Sequence, residues 1–148
     1  MPNTPALVGE GSQVVCPDNL TSDEDLQNVL TLLRSFGQAD IVTEPILDIV
    51  GAVSGSSPAF VFMFIEALAD GAVAEGMPRK QAYDFAAQAV LGSAKMVLET
   101  KKHPGELKDM VCSPAGTTIE GVNTLEKEGM RSAVMDAVRA CIQKTRKL

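Results

Sequence analysis

Residues 58–78 read PAFVFMFIEALADGAVAEGMP, and this stretch decides the fold. From Ala59 to Ile65 every side chain is apolar, so a helix here has no polar face to turn to water and suits a core or interface buried all round. Glu66 and Asp70 keep the apolar run short of the ~20 residues that a bilayer span needs. Pro58 starts the helix, Gly76 closes it, and Pro78 opens the next within its first turn.

Working outward, the helix after Pro78 runs to about Thr100 and carries Tyr83, Ala86, Ala87, Val90, Leu91, Ala94, Val97 and Leu98, alanine-rich enough for close helix contacts. His103-Pro104-Gly105 interrupts the chain, a short helix holds Leu107 to Val111, and Ser113 to Thr118 leads into a helix with Ile119, Val122 and Leu125 that ends at Gly129. A last helix holds Val134, Val138, Cys141 and Ile142. In the other direction, a helix from Pro45 with Ile46, Leu47, Ile49, Val50 and Val53 breaks at Ser54-Gly55-Ser56-Ser57.

Ahead of it, residues 14–43 read as a β-α-β unit. Val14-Val15 suggests a strand, Thr21-Ser22-Asp23-Glu24 has capping-box spacing before Leu26, Val29, Leu30 and Leu33, Gly37 stops the helix, and Asp40-Ile41-Val42-Thr43 is a second strand. Residues 1–13, rich in Pro, Gly, Asn and Thr, read as loop. Two strands are too few to make a sheet unaided, so the unit looks like the edge of something larger. The fold class is therefore mainly α, with residues 1–44 and 45–148 as its two parts.

The net charge of −6 and pI near 4.7 supply no positive field to gather phosphates, which argues against nucleic acid or an anionic membrane as partner. At 45% hydrophobic and 22% charged, the composition is that of a soluble globular protein. Cys16, Cys112 and Cys141 match neither a zinc motif nor a redox pair, and His103 is the one histidine, so a reduced cytoplasmic protein without a structural metal is expected. Nothing in Met1 to Ala6 has the pattern of a secretory signal.

Two loops combine small residues and hydroxyls with an immediate helix start, Ser54 to Pro58 and Ser113 to Thr118. Unpaired N–H groups and the positive end of the helix dipole suit a carboxylate or phosphate there. Ser and Thr are also the preferred caps of any helix, so plain capping fits as well. His103, beside Lys101 and Lys102, fits the last turn of a helix, where the dipole favours positive charge; Cys112 fits a small buried hydrophobe. Glu66 with Asp70, and Glu126 with Glu128, mark solvated or interfacial helix faces rather than an acid/base pair. No G-x-G-x-x-G follows a strand, and no P-loop occurs.

At Ser54-Gly55-Ser56-Ser57-Pro58-Ala59, His103-Pro104-Gly105-Glu106-Leu107-Lys108-Asp109 and Ser113-Pro114-Ala115-Gly116-Thr117-Thr118-Ile119, the chain resembles pyrroline-5-carboxylate reductase. Met1-Pro2-Asn3-Thr4-Pro5-Ala6 and Arg131-Ser132-Ala133 share the likeness, which extends over essentially all 148 residues. The resemblance implies reduction of 1-pyrroline-5-carboxylate to L-proline by NADPH or NADH, with an all-helical intertwined dimerisation domain preceded by a short β-α-β remnant of a Rossmann domain. It implies a homodimer, often assembled further. Carried over, the amides around Ala115, Gly116, Thr117 and Thr118 would cradle the substrate carboxylate, and the Thr118 hydroxyl would reach the imine nitrogen. Ser54, Gly55, Ser56 and Pro58 would line the nearby wall, and Asn3, Thr4 and Pro5 would face the cofactor.

Two positions depart from the resemblance, Ser57 and Ala115, where the family commonly has glycine; a required positive φ at either would be strained by the side chain. The phosphate-binding glycine loop and most of the parallel sheet that the family carries would precede Met1, so the chain is expected to be a truncated or partial reductase. The competing expectation is a non-catalytic helical dimer that binds proline-like ligands or a partner supplying the nucleotide domain.

Overall fold

A computed structural model describes residues 2–147. Met1, quoted above for the resemblance, and Leu148 lie outside the described residues. The chain divides into two compact units, Met1–Phe60 with Val134–Leu148, and Val61–Ala133.

The first unit begins with a 3-10 turn, Thr4–Val8, followed by β1 (Gly11–Val15), α1 (Asp23–Arg34) and β2 (Gly37–Ile41). The strands pair in parallel from Gly11 opposite Gly37 to Val15 opposite Ile41, the β-α-β unit expected. Its core is Val14, Leu30 and Ala39. Strand boundaries differ from the sequence reading: β1 starts three residues earlier, and β2 also starts three residues earlier, at Gly37. Gly37 is therefore a strand residue and not a helix stop, because a Cβ there would come within 2.1 Å of the Gly11 carbonyl oxygen; α1 has already ended at Arg34. The cap also shifts by one residue. Ser22 accepts from the Asp25 N–H at 3.1 Å and donates to the Asp25 carboxylate at 2.6 Å, while Thr21 donates to Asp18 at 2.7 Å. The acidic first turn Asp23-Glu24-Asp25 complements the dipole.

Gln13 faces inward on β1 at 1% exposure, and neither end of its side-chain amide has a partner. An unpaired buried amide opposes folding by about 1–3 kcal/mol. Gln13→Met keeps the shape and removes that penalty; chemical denaturation is expected to show a stability gain of about 1–2 kcal/mol. No gain would mean that the amide is satisfied in solution.

After β2 the backbone is helical without interruption: a 3-10 turn at Glu44–Ile46, α2 (Leu47–Val50), a π-helix at Gly51–Ser56, and α3 (Ser57–Ala74). The break expected at Ser54–Ser57 is a widened turn instead. Ser54 Oγ donates to the Val50 carbonyl at 3.0 Å and Ser57 Oγ to the Val53 carbonyl, so hydroxyls that signal a loop in sequence return to the backbone here. The helical run Glu44–Ala74 contains an 18-residue window with a mean hydropathy of 1.6 and is long and apolar enough to cross a bilayer by length and composition, which corrects the shorter count from Ala59. The same composition suits a helix covered by protein.

In the second unit α3 packs on α4 (Arg79–Thr100) through small side chains: Ala69, Ala82 and Ala86 are buried, with Ile65, Ala72, Val73 and Met77 against them. The turn between them is a Schellman close. Gly76, at φ +98°, donates to the Val73 carbonyl at 2.9 Å, and Met77 donates to the Ala72 carbonyl at 3.0 Å. Pro78 is the N-cap of α4, one position before its expected place. Asp70 pairs with Arg79, whose guanidinium also lies 5.6 Å from the Tyr83 ring centre; the carboxylate holds the arginine above its ordinary pKa. The expectation that α3 is buried on every side fails within this chain. An alanine seam covers one stripe of the helix, and Phe62 and Met63 remain 58% and 68% exposed.

The unit continues through α5 (Pro104–Val111) and α6 (Thr117–Lys127), and α7 (Met130–Thr145) follows after Gly129. His103 is the N-cap of α5 rather than part of the last turn of α4: its Nδ1 accepts from the Gly105 N–H at 3.0 Å. Lys101, at φ +57°, ends α4.

Candidate functional site

In the second unit, Ser113-Pro114-Ala115-Gly116 forms a tight turn in which the Gly116 N–H donates to the Ser113 carbonyl at 3.0 Å. Proline second and a positive φ third, +55° at Ala115, are the signature of a type II turn. This is the strained position that the departure from glycine foreshadows. Ala115→Gly removes the Cβ from the left-handed region, and the expected result is a gain of about 1 kcal/mol in unfolding free energy. A loss there would mean that glycine's extra freedom in the unfolded chain outweighs the strain. Ser57, in contrast, sits at φ −62° in ordinary helical conformation and needs no glycine.

Gly116 is the N-cap of α6 and brings no capping side chain. A Cβ on it would lie 2.3 Å from Ser113 Oγ and 3.1 Å from the Ser113 carbonyl oxygen, so the turn leaves room for hydrogen alone. Its own N–H is committed to the turn, which removes it from the set of amides expected to hold a carboxylate. Of that set the amides of Ala115, Thr117 and Thr118 remain; those of Thr117 and Thr118, joined by Ile119, point out of the positive end of an 11-residue helix, with the Thr118 hydroxyl exposed beside them. Toward the other end of α6, the helices α5, α6 and the start of α7 line an open cleft of about 230 Å³, with Val122, Leu125 and Met130 beside Lys108, Glu126 and Arg131; Arg131 is paired to Glu126 at 2.6 Å.

In the first unit the structure brings Asn3 to Ser54. Asn3 Nδ2 donates to the Ser54 carbonyl at 2.9 Å, and its Oδ1 accepts from the Ser12 N–H at 2.9 Å. Ser54, Gly55 and Ser56 lie in the π-helix, and Pro58 is in the first turn of α3. Thr4 and Pro5 open the 3-10 turn. The Asn3 contact was not legible from composition, although a proline four residues after Ser54 in a helical run is a signal that some carbonyl needs another donor. Among the described residues no group of three His, Cys, Asp or Glu side chains is placed to hold a metal ion, and Cys16, Cys112 and Cys141 are free thiols.

The family model described as "Pyrroline-5-carboxylate reductase dimerisation" matches residues 44–148. The chain belongs to that family. Over all 148 residues it is 62% identical to the pyrroline-5-carboxylate reductase of Escherichia coli and 51% identical to that of Methanosarcina acetivorans, covering 55% of each. It thus spans about half the length of the curated relatives it matches. The crystal structure of the Streptococcus pyogenes 1-pyrroline-5-carboxylate reductase superposes with a TM-score of 0.94 at 36% identity, over 100% of this chain and 57% of that one. The Plasmodium falciparum pyrroline carboxylate reductase, with NADP bound, gives 0.93 at 36% identity, over 99% and 59%. Helical region and two-stranded β-α-β unit together therefore follow the architecture of this family.

Proposed function

We propose that this chain is the substrate-binding and dimer-forming part of an enzyme that reduces 1-pyrroline-5-carboxylate to L-proline, in cytoplasmic proline biosynthesis. The observation that carries the proposal is the Ser113–Gly116 turn, which opens α6 with no capping side chain in a chain of this family. The amides of Thr117, Thr118 and Ile119 would take the substrate carboxylate at the positive helix end. The Thr118 oxygen would accept from the N–H of the protonated imine, leaving the ring carbon open to hydride. In the first unit, Ser54, Gly55, Ser56 and Pro58 are the ligand-facing residues under this reading. Binding in this manner contributes orientation and charge complementarity rather than a strong acid.

The family's hydride donors are NADPH and NADH. The residues described here do not fit the main dinucleotide site. Their sheet has two strands, no G-x-G-x-x-G follows either, and the Asn3 amide already has a partner at each end. That observation also favours a second reading, a non-catalytic helical dimer that binds proline-like ligands or a partner carrying the nucleotide domain. In either case the exposed Phe62, Met63, Phe85 and Leu91 suit a homodimer seam, with further assembly left to the same apolar surface.

The test is calorimetric titration of the folded chain with L-proline, together with NADPH and NADH oxidation in the presence of pyrroline-5-carboxylate. Saturable L-proline binding without turnover is the expected result. Turnover would overturn the statement about the dinucleotide site, and absence of L-proline binding would overturn the proposed ligand.

A further inference from the structure

Pro58 has no N–H, so a carbonyl one turn earlier loses its donor: Ser54 in the α register, Val53 in the wider π register. Both carbonyls take side-chain donors instead. The Ser57 hydroxyl donates to Val53, and Asn3 Nδ2 donates to Ser54 at 2.9 Å from 51 residues away in sequence. The other end of the Asn3 amide accepts from Ser12 at the start of β1. One side chain therefore ties the first strand to the widened turn Gly51–Ser56. The atom assignment is fixed by chemistry, since a backbone N–H can be met only by the amide oxygen and a carbonyl only by its NH₂.

We infer that Asn3 is a positioning residue: it supplies the donor that Pro58 withholds, and so holds the π turn in the shape that presents Ser54 and Ser56. For its ligand this inference rests on the proposed function; for its geometry it rests on the hydrogen bonds alone. A single π turn inside an α-helical run is a form that survives where surrounding contacts over-determine it, and such turns concentrate at functional sites. Here the over-determining contacts are Ser54 to Val50, Ser57 to Val53 and Asn3 to Ser54.

The experiment is a double-mutant cycle on the full chain. Asn3→Asp keeps an acceptor for Ser12 but loses the donor to Ser54; Pro58→Ala returns an N–H to the helix; the third variant carries both changes. Each is read by amide hydrogen exchange over residues 50–59 and by L-proline affinity. Asn3→Asp is expected to speed exchange in the π turn and to weaken L-proline, each about tenfold. In the Pro58→Ala background the same change is expected to cost less than about threefold, because the restored N–H serves the carbonyl. Equal losses in the two backgrounds would overturn the inference. Should Asn3→Asp not fold, Asn3→Ala is read in the same cycle. A merely structural role for Asn3 would loosen β1 and α1 to the same degree and would not be rescued at Pro58. If the parent chain does not bind L-proline, it is the proposed function that fails, and the exchange cycle still decides the coupling.

Discussion

Gly37→Ala is expected to destabilise the chain by about 3 kcal/mol. The built Cβ would sit 2.1 Å from the Gly11 carbonyl oxygen and 2.4 Å from the Gly11 nitrogen. Those atoms belong to the opposite strand at the first rung of the parallel pair, so no side chain can rotate away and the strands must separate. Gly9 is the control. It has φ +80° with nothing within 4 Å of its Cβ position, so Gly9→Ala meets only the left-handed backbone penalty, about 1 kcal/mol. Urea denaturation of both variants separates the two effects, and similar midpoints would show that the strands tolerate the approach.

Gly116→Ala is expected to weaken L-proline binding about tenfold, while costing about 1 kcal/mol of stability. Ser113 Oγ, 2.3 Å from the added Cβ, can rotate away, but the Ser113 carbonyl at 3.1 Å is held by the Gly116 N–H that closes the turn. Relief of the clash therefore opens the turn and re-aims the amides of Thr117 and Thr118. Gly121, further along α6 with open space around its Cβ position, provides the contrast. Gly121→Ala replaces a poor helix former with the best one and should stabilise by about 0.5–1 kcal/mol, with affinity unchanged. Equal affinity for L-proline in the two variants would remove the turn from the binding site.

The outer architecture could be read from residue order because it depends on local chemistry. Gly76 before Pro78 is enough to end one helix and begin the next, and the structure differs there only in placing Pro78 at the cap. The acidic run after Ser22 is enough to start α1, although the choice between Thr21 and Ser22 as cap was settled by Asp18, which takes the Thr21 hydroxyl. At the candidate site, a cost at Ala115 was foreseen only through the resemblance, in which glycine is common there; the type II turn that imposes its positive φ is a finding of the structure. The commitment of the Gly116 N–H to that turn is another, since it depends on which way the peptide planes face.

By itself, then, the order of residues determined most of the helices, the β-α-β edge and the absence of a dinucleotide fingerprint, which rest on periodicity, caps, turns and motif spacing within short windows; the family came from the resemblance along the whole chain. Only the tertiary structure decided three matters. Gly37 belongs to a strand because a backbone from 26 positions earlier passes within contact distance of its α-carbon. Ser54–Ser57 is a widened helical turn because Asn3, far away in sequence, donates to a carbonyl that Pro58 cannot serve. The face of α3 carrying Phe62 and Met63 is left uncovered because α4 meets it through alanines along a single stripe. Each depends on groups distant along the chain, and sequence patterns carry no distance between such groups.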